Sequence, residues 1–95
     1  MALIELAVEA FDDLERIRQH LEKTGQDVGA VIRTILECFR VLEHTPQIGR
    51  PVRRSLRELV ILQGKAGYLA AYQYDPALEV VRILRIRHQR EAGYP

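Results

Sequence analysis

The chain has one cysteine, no long apolar run, no internal repeat and no low-complexity tract, and each lack narrows what it can be. Cys38 alone cannot close an internal disulfide, which fits a reducing compartment. No stretch approaches the ~20 consecutive apolar residues that cross a bilayer. The start, Met1-Ala2-Leu3-Ile4-Glu5, lacks the basic opening and apolar stretch of a signal peptide. A soluble, cytoplasmic protein without a membrane partner is therefore expected. The three histidines and the cysteine, at positions 20, 38, 44 and 88, have no metal-ligand spacing, so no metal and no other cofactor is expected. Gly64-Lys65-Ala66-Gly67 lacks the spacing and the following Ser/Thr of a phosphate loop. No Gly-X-Ser-X-Gly nucleophile motif is present.

What remains is an ordinary globular composition, with 47% hydrophobic and 28% charged residues over 95 positions. That is enough for one domain over 1–95 with a modest core. The net charge of +1 hides an asymmetry. Residues 1–49 carry five Lys/Arg against nine Asp/Glu, whereas residues 50–95 carry nine against four. Six of those nine cations fall in two groups: Arg50, Arg53 and Arg54, then Arg85, Arg87 and Arg90. Either these only solvate a surface, or the C-terminal half faces something anionic.

Residues 2–6 read as a short strand. Phe11, Leu14, Ile17 and Leu21 then recur at helical steps, with Asp12, Asp13, Glu15, Arg16 and Gln19 opposite, predicting a helix over 8–23. Gly25 suits a left-handed cap and Asp27 an N-cap, so a second helix over 27–44 forms an antiparallel hairpin with the first. Thr45 to Pro51 reads as a loop. Strands are predicted over 56–62, 68–74 and 79–88, with a turn at Asp75-Pro76. In the second of these, Tyr68, Ala70, Tyr72 and Tyr74 share one face. The last has apolar residues on both faces, which calls for cover on both sides or a bulge. If its Leu84 face meets the helices, Arg85 and Arg87 project from the open face and His88 lies at the core margin. The expected class is α+β, ordered β-α-α-β-β-β, an antiparallel sheet against a helical hairpin.

The loop Pro46-Gln47-Ile48-Gly49-Arg50-Pro51-Val52 and the strand Leu56-Arg57-Glu58-Leu59-Val60-Ile61 are followed by Gly67-Tyr68-Leu69-Ala70-Ala71-Tyr72-Gln73-Tyr74-Asp75. The chain ends Ile83-Leu84-Arg85-Ile86-Arg87-His88-Gln89-Arg90-Glu91-Ala92-Gly93-Tyr94. This ordered set resembles the RelE/ParE superfamily of type II toxin–antitoxin toxins over nearly the whole length. The resemblance implies a growth inhibitor held in a hetero-oligomer by a cognate antitoxin. RelE-like members cleave mRNA on the ribosome, and ParE-like members poison DNA gyrase without acting as nucleases. An inactive relative that only binds antitoxin is a third possibility.

Cleaving RNA through its 2′-hydroxyl needs a base, an acid and cations for the charged phosphorane. His88 or Glu91 can supply the proton transfer, Arg57, Arg87 and Arg90 the charge, and Tyr94 a stacking face. RNA-cleaving relatives usually carry an arginine in the strand that here reads Tyr68-Leu69-Ala70-Ala71-Tyr72, which has no cation. One lost charge donor costs on the order of 100- to 1000-fold in rate. The resemblance therefore favours the ParE-like side, with Arg50, Arg57, Arg85, Arg87, His88, Arg90 and Tyr94 as target-binding candidates. The competing view of His88 is a hydrogen bonder at a strand end. Tyr68, Tyr72 and Tyr74 are either core aromatics or a base-stacking face, and Cys38 is a small core residue.

Overall fold

The computed structural model describes residues 1–63 and 66–90. Strand β1 (Leu3–Leu6) leads into helices α1 (Val8–Thr24) and α2 (Val28–Val41), followed by β2 (Arg50–Arg53), β3 (Leu56–Gln63), β4 (Ala66–Asp75) and β5 (Val80–His88). Glu91 and Tyr94 lie outside the described residues, as do Gly64 and Lys65.

The helical hairpin forms where its caps dictate. Gly25 adopts φ 73°, and Gln26 N–H and Gly25 N–H close back on the Leu21 and Glu22 carbonyls, a Schellman ending. Asp27 then accepts from Ala30 N–H at 3.1 Å as the N-cap of α2. That helix stops at Val41, three residues short of the expected end, and turns carry the chain to Pro46.

The five strands form one sheet in the order β1-β5-β4-β3-β2, with β1 parallel to β5 and every other pair antiparallel. The α+β class holds, with one strand more than the pattern predicted. Residues 50–53 pair with β3 as an edge strand, although Pro51 and the Gly49-Arg50 step read as loop. Proline is tolerated there because an edge strand has one ladder to spare.

Both helices cover one sheet face. Ala10, Ile17 and Leu21 of α1 and Val31, Ile35 and Phe39 of α2 bury against Ile61, Tyr68, Ala70, Tyr72, Val81, Ile83 and Ile86. Tyr68 and Tyr72 are thus core residues, not a stacking surface, and Cys38 packs at the core margin. Phe11 corrects the helix reading: it is exposed, and Asp13 is buried in its stead. Leu14, Ile17 and Leu21 do face the core as expected, and the buried residues at three- and four-residue steps are 10, 13, 17 and 21.

Strand β5 resolves its own awkward phase with a bulge. Tyr72 pairs with Ile83 and Ala71 with Arg85, so Leu84 is the extra residue. Val81, Ile83 and Ile86 all reach the core as a result.

Candidate functional site

Directly paired strand residues share a face, so the ladder alone sorts the candidates. Across the sheet, Arg50 pairs with Glu58, Glu58 with Ala71, and Ala71 with Arg85. The next row is Val60, Leu69 and Arg87. On the other flank lie Gln73, Arg82 and Glu5. All of these stand on the face turned away from the helices. By register Arg85 and Arg87 therefore stand on the open face, as expected, but the stated condition is corrected: Leu84 is the bulged residue, and Val81 and Ile83 meet the helices with Ile86. Arg50 joins Arg85 and Arg87 from the far edge.

Small and apolar residues floor this surface. Ala71 and Leu69 are buried, and so is the Glu58 carboxylate, which pairs with the Arg50 guanidinium. Glu5 pairs with Arg82 at 3.2 Å.

Arg85 is held from two donor atoms. It grips Asp13 of α1, with Nε at 2.9 Å and Nη2 at 3.1 Å from the carboxylate oxygens. Asp13 also accepts from Ile86 N–H at 2.8 Å, and Arg16 donates to the Ile86 carbonyl at 3.3 Å. The reason lies in the neighbouring strand. β1 ends at Leu6, so the edge of β5 beyond Ile83 has no strand beside it. Two side chains of α1 take that place and satisfy the Ile86 peptide groups. Burial pushes the Asp13 carboxyl up, but the Arg85 hydrogen bonds, Ile86 N–H and the charges of Arg85 and Arg16 outweigh it and hold it below its ordinary value. Arg85 is raised in turn, first by the Asp13 hydrogen bond.

Arg57 and His88 belong to the opposite face. Arg57 pairs with Tyr72, and its Nη1 donates to the carbonyls of Gln47 at 2.9 Å and Gly49 at 2.8 Å. His88 pairs with Tyr68, its ring edge-on to the tyrosine with centroids 5.3 Å apart. Its Nδ1 accepts from Arg90 N–H at 3.1 Å, which puts the proton of the neutral ring on Nε2. Arg87 Nη1 donates to the His88 carbonyl at 3.4 Å.

The sequence cluster is thus divided. Arg50, Arg85 and Arg87 share the open face, His88 sits at the helix-side margin, Arg57 serves the loop before β2, and Arg90 is exposed in the turn after β5. Sequence reasoning missed Asp13, Arg16 and Glu58, and it did not foresee the bond from Gly49 N–H to the Tyr72 hydroxyl. Of these, Asp13 carried a signal: it falls in phase with Ile17 and Leu21. Burial and Glu37 raise the Cys38 thiol, the opposite of what a reactive thiolate needs. Among the described residues no helix is long and apolar enough to cross a membrane.

The family model for the ParE toxin of the type II toxin–antitoxin system parDE matches residues 4–93. The chain belongs to the ParE toxin family. "Toxin RelE3" of Caulobacter vibrioides is 32% identical over 92 residues, covering 96% of this chain and 98% of that protein. Among solved structures, a chromosomal ParDE toxin–antitoxin system from P. aeruginosa superposes with a TM-score of 0.72 at 22% identity, over 93% of this chain and 96% of its own. The RelBE2 toxin–antitoxin complex of Mycobacterium tuberculosis gives a TM-score of 0.62 at 21% identity, over 95% and 93%. The fold of this ParE-family toxin is accordingly the RelE/ParE one.

Proposed function

We propose that this type II toxin arrests growth by docking on DNA gyrase through the open sheet face, and that a cognate antitoxin holds it inactive in a hetero-oligomer. The observation that carries this reading is the division of the cluster. Arg87 and His88 are consecutive residues of β5 and point to opposite faces. Arg57 stands level with Tyr72, four residues along β4 from the Tyr68 that His88 meets, or about 13 Å at ~3.3 Å per residue. A phosphorane needs its base and its cations within hydrogen-bond reach at once. Arginines spread over a face with an apolar floor suit protein docking better.

An antitoxin segment has a matching place on the hairpin. Val28, Ile32 and Leu36 line a groove on α2, flanked by Arg33 and Arg40, with Glu37 between them and Arg18 held by Glu15 and Glu22. An amphipathic segment with acidic flanks fits it. The ParDE and RelBE2 structures with the same fold are toxin–antitoxin systems, which supports such a partner.

Purified toxin is expected to inhibit gyrase supercoiling and to leave ribosome-bound mRNA intact. Cleaved message with undisturbed supercoiling would reverse the assignment. The second reading is a ribosome-dependent mRNA endonuclease, favoured by the name of the RelE3 relative. It requires that His88→Ala abolish toxicity while antitoxin binding persists, and full toxicity of that variant removes it.

A further inference from the structure

Two consecutive residues of β3 hold two consecutive residues of the chain that enters β2, one on each face of the sheet. Arg57, on the helix side, donates from Nη1 to the Gly49 carbonyl at 2.8 Å and to the Gln47 carbonyl at 2.9 Å. Glu58, on the open side, takes the guanidinium of Arg50. The remaining polar group of the Gly49 peptide pair is occupied as well: its N–H donates to the Tyr72 hydroxyl at 2.8 Å. A Cβ at Gly49 would sit 2.5 Å from that hydroxyl and 2.6 Å from the ring, so only glycine lets the tyrosine close.

The geometry points to a latch: Tyr72, Gly49, Arg57 and Glu58 together aim Arg50, and Arg57 and Tyr72 are positioning residues for target binding rather than contacts. Arg50 is the output of this arrangement. Its side chain is 72% exposed while its carboxylate partner is only 6% exposed. One edge of the guanidinium is therefore anchored, and the rest is presented to solvent on the face with Arg85 and Arg87. An anchored cation loses less side-chain freedom when it meets an anionic group than a free one does. The anchoring begins in the backbone. The Gly49 carbonyl and N–H are gripped from two strands, β3 and β4, so the direction of the chain is set before Arg50 leaves it.

This inference rests on the open face being the target surface, and it assigns roles that the sequence cluster does not. It makes Arg57 act through Arg50 although the two side chains stand on opposite faces. It also accounts for a tyrosine hydroxyl in the core: the oxygen belongs to the loop, not to a ligand.

The test compares Arg50→Gln, Arg57→Lys, Tyr72→Phe and the double variant Arg50→Gln/Arg57→Lys. Potency is read as the toxin concentration that halves gyrase supercoiling, and Arg50 order by NMR relaxation of its Nε–H. Each single variant is expected to weaken inhibition about tenfold, the size of one interface arginine, and the double to be no weaker than Arg50→Gln alone. Arg50 order should fall in Arg57→Lys and Tyr72→Phe. Full potency of Arg50→Gln, an additive double near 100-fold, or an Arg50 as rigid in Arg57→Lys as in the parent would each overturn the latch. If the parent leaves supercoiling intact, the gyrase reading fails, and the same series is read on growth arrest after induced expression with the same outcomes deciding.

Discussion

Arg85 meets Asp13 across 72 positions of sequence, joining the open face of β5 to a buried carboxylate of α1. The pair does more than neutralise charge. Asp13 stands where β1 has already ended, and it supplies the acceptor that a longer β1 would have supplied to Ile86. Removing it leaves both a guanidinium and a strand N–H without that acceptor. Asp13→Ala is expected to destabilise the fold by about 3 kcal/mol, as for other buried pairs broken on one side. Urea unfolding measures it, and a loss under 1 kcal/mol would show that water replaces the carboxylate at little cost.

The same carboxylate sets an acid limit. Its folded-state value lies below the ordinary one near 3.8, so the ionised form favours the folded state. That stability is fully present above the ordinary value and is lost as pH falls through the folded one. Thermal midpoints should therefore drop below about pH 3.8 more steeply in the parent than in Asp13→Asn. Parallel acid limbs would place the titrating group elsewhere.

Tyr72 sets a limit at the other end. Burial raises its phenol above the ordinary value near 10, against the smaller opposing pull of Gly49 N–H and Arg57. The neutral phenol favours the folded state below that value, and this contribution declines as pH rises from about 10 towards the folded value. Tyr72→Phe should flatten the alkaline limb and cost about 1 kcal/mol at neutral pH for the lost hydrogen bond. An unchanged alkaline limb would clear Tyr72 of that role.

Asp27 is a simpler case. Its carboxylate caps α2 at 3.1 Å from Ala30 N–H, so Asp27→Ala should cost about 1 kcal/mol and Asp27→Ser much less. Equal losses in the two variants would mean that the cap is not what is measured.

Phe11 offers a control. It is 59% exposed, and Phe11→Ser should leave stability within about 0.5 kcal/mol of the parent. A loss of core size would mean that Phe11 meets the sheet.

Most of the architecture was legible because local signals agreed. Gly25 and Asp27 marked the hairpin, and the alternation of β4 put Tyr68, Ala70, Tyr72 and Tyr74 on one face, although it left open whether that face was core or stacking surface. β2 was not legible: an edge strand of four exposed residues with a proline has no inward face to leave a pattern. Asp13 was misread because an acid in a helix is normally solvated, and its cation lies at the far end of the chain. The site was legible as a composition and not as a geometry. Arg87-His88-Gln89-Arg90 is one cluster in sequence, but alternation along a strand sends its neighbours to opposite faces.

The extra residue in β5 has a consequence for comparing relatives. With Leu84 omitted, Val81, Ile83, Ile86 and His88 fall into plain two-residue alternation, and Arg82, Arg85 and Arg87 fill the other parity. Position 84 is therefore where this strand can shorten by one residue and keep every cation on its own side. A deletion later in the strand that also removes the bulge would instead reverse the residues between 84 and the deletion, Arg85 first. In alignments of family members that are one residue shorter here, the gap belongs at 84, and placing it later would match arginines to core positions.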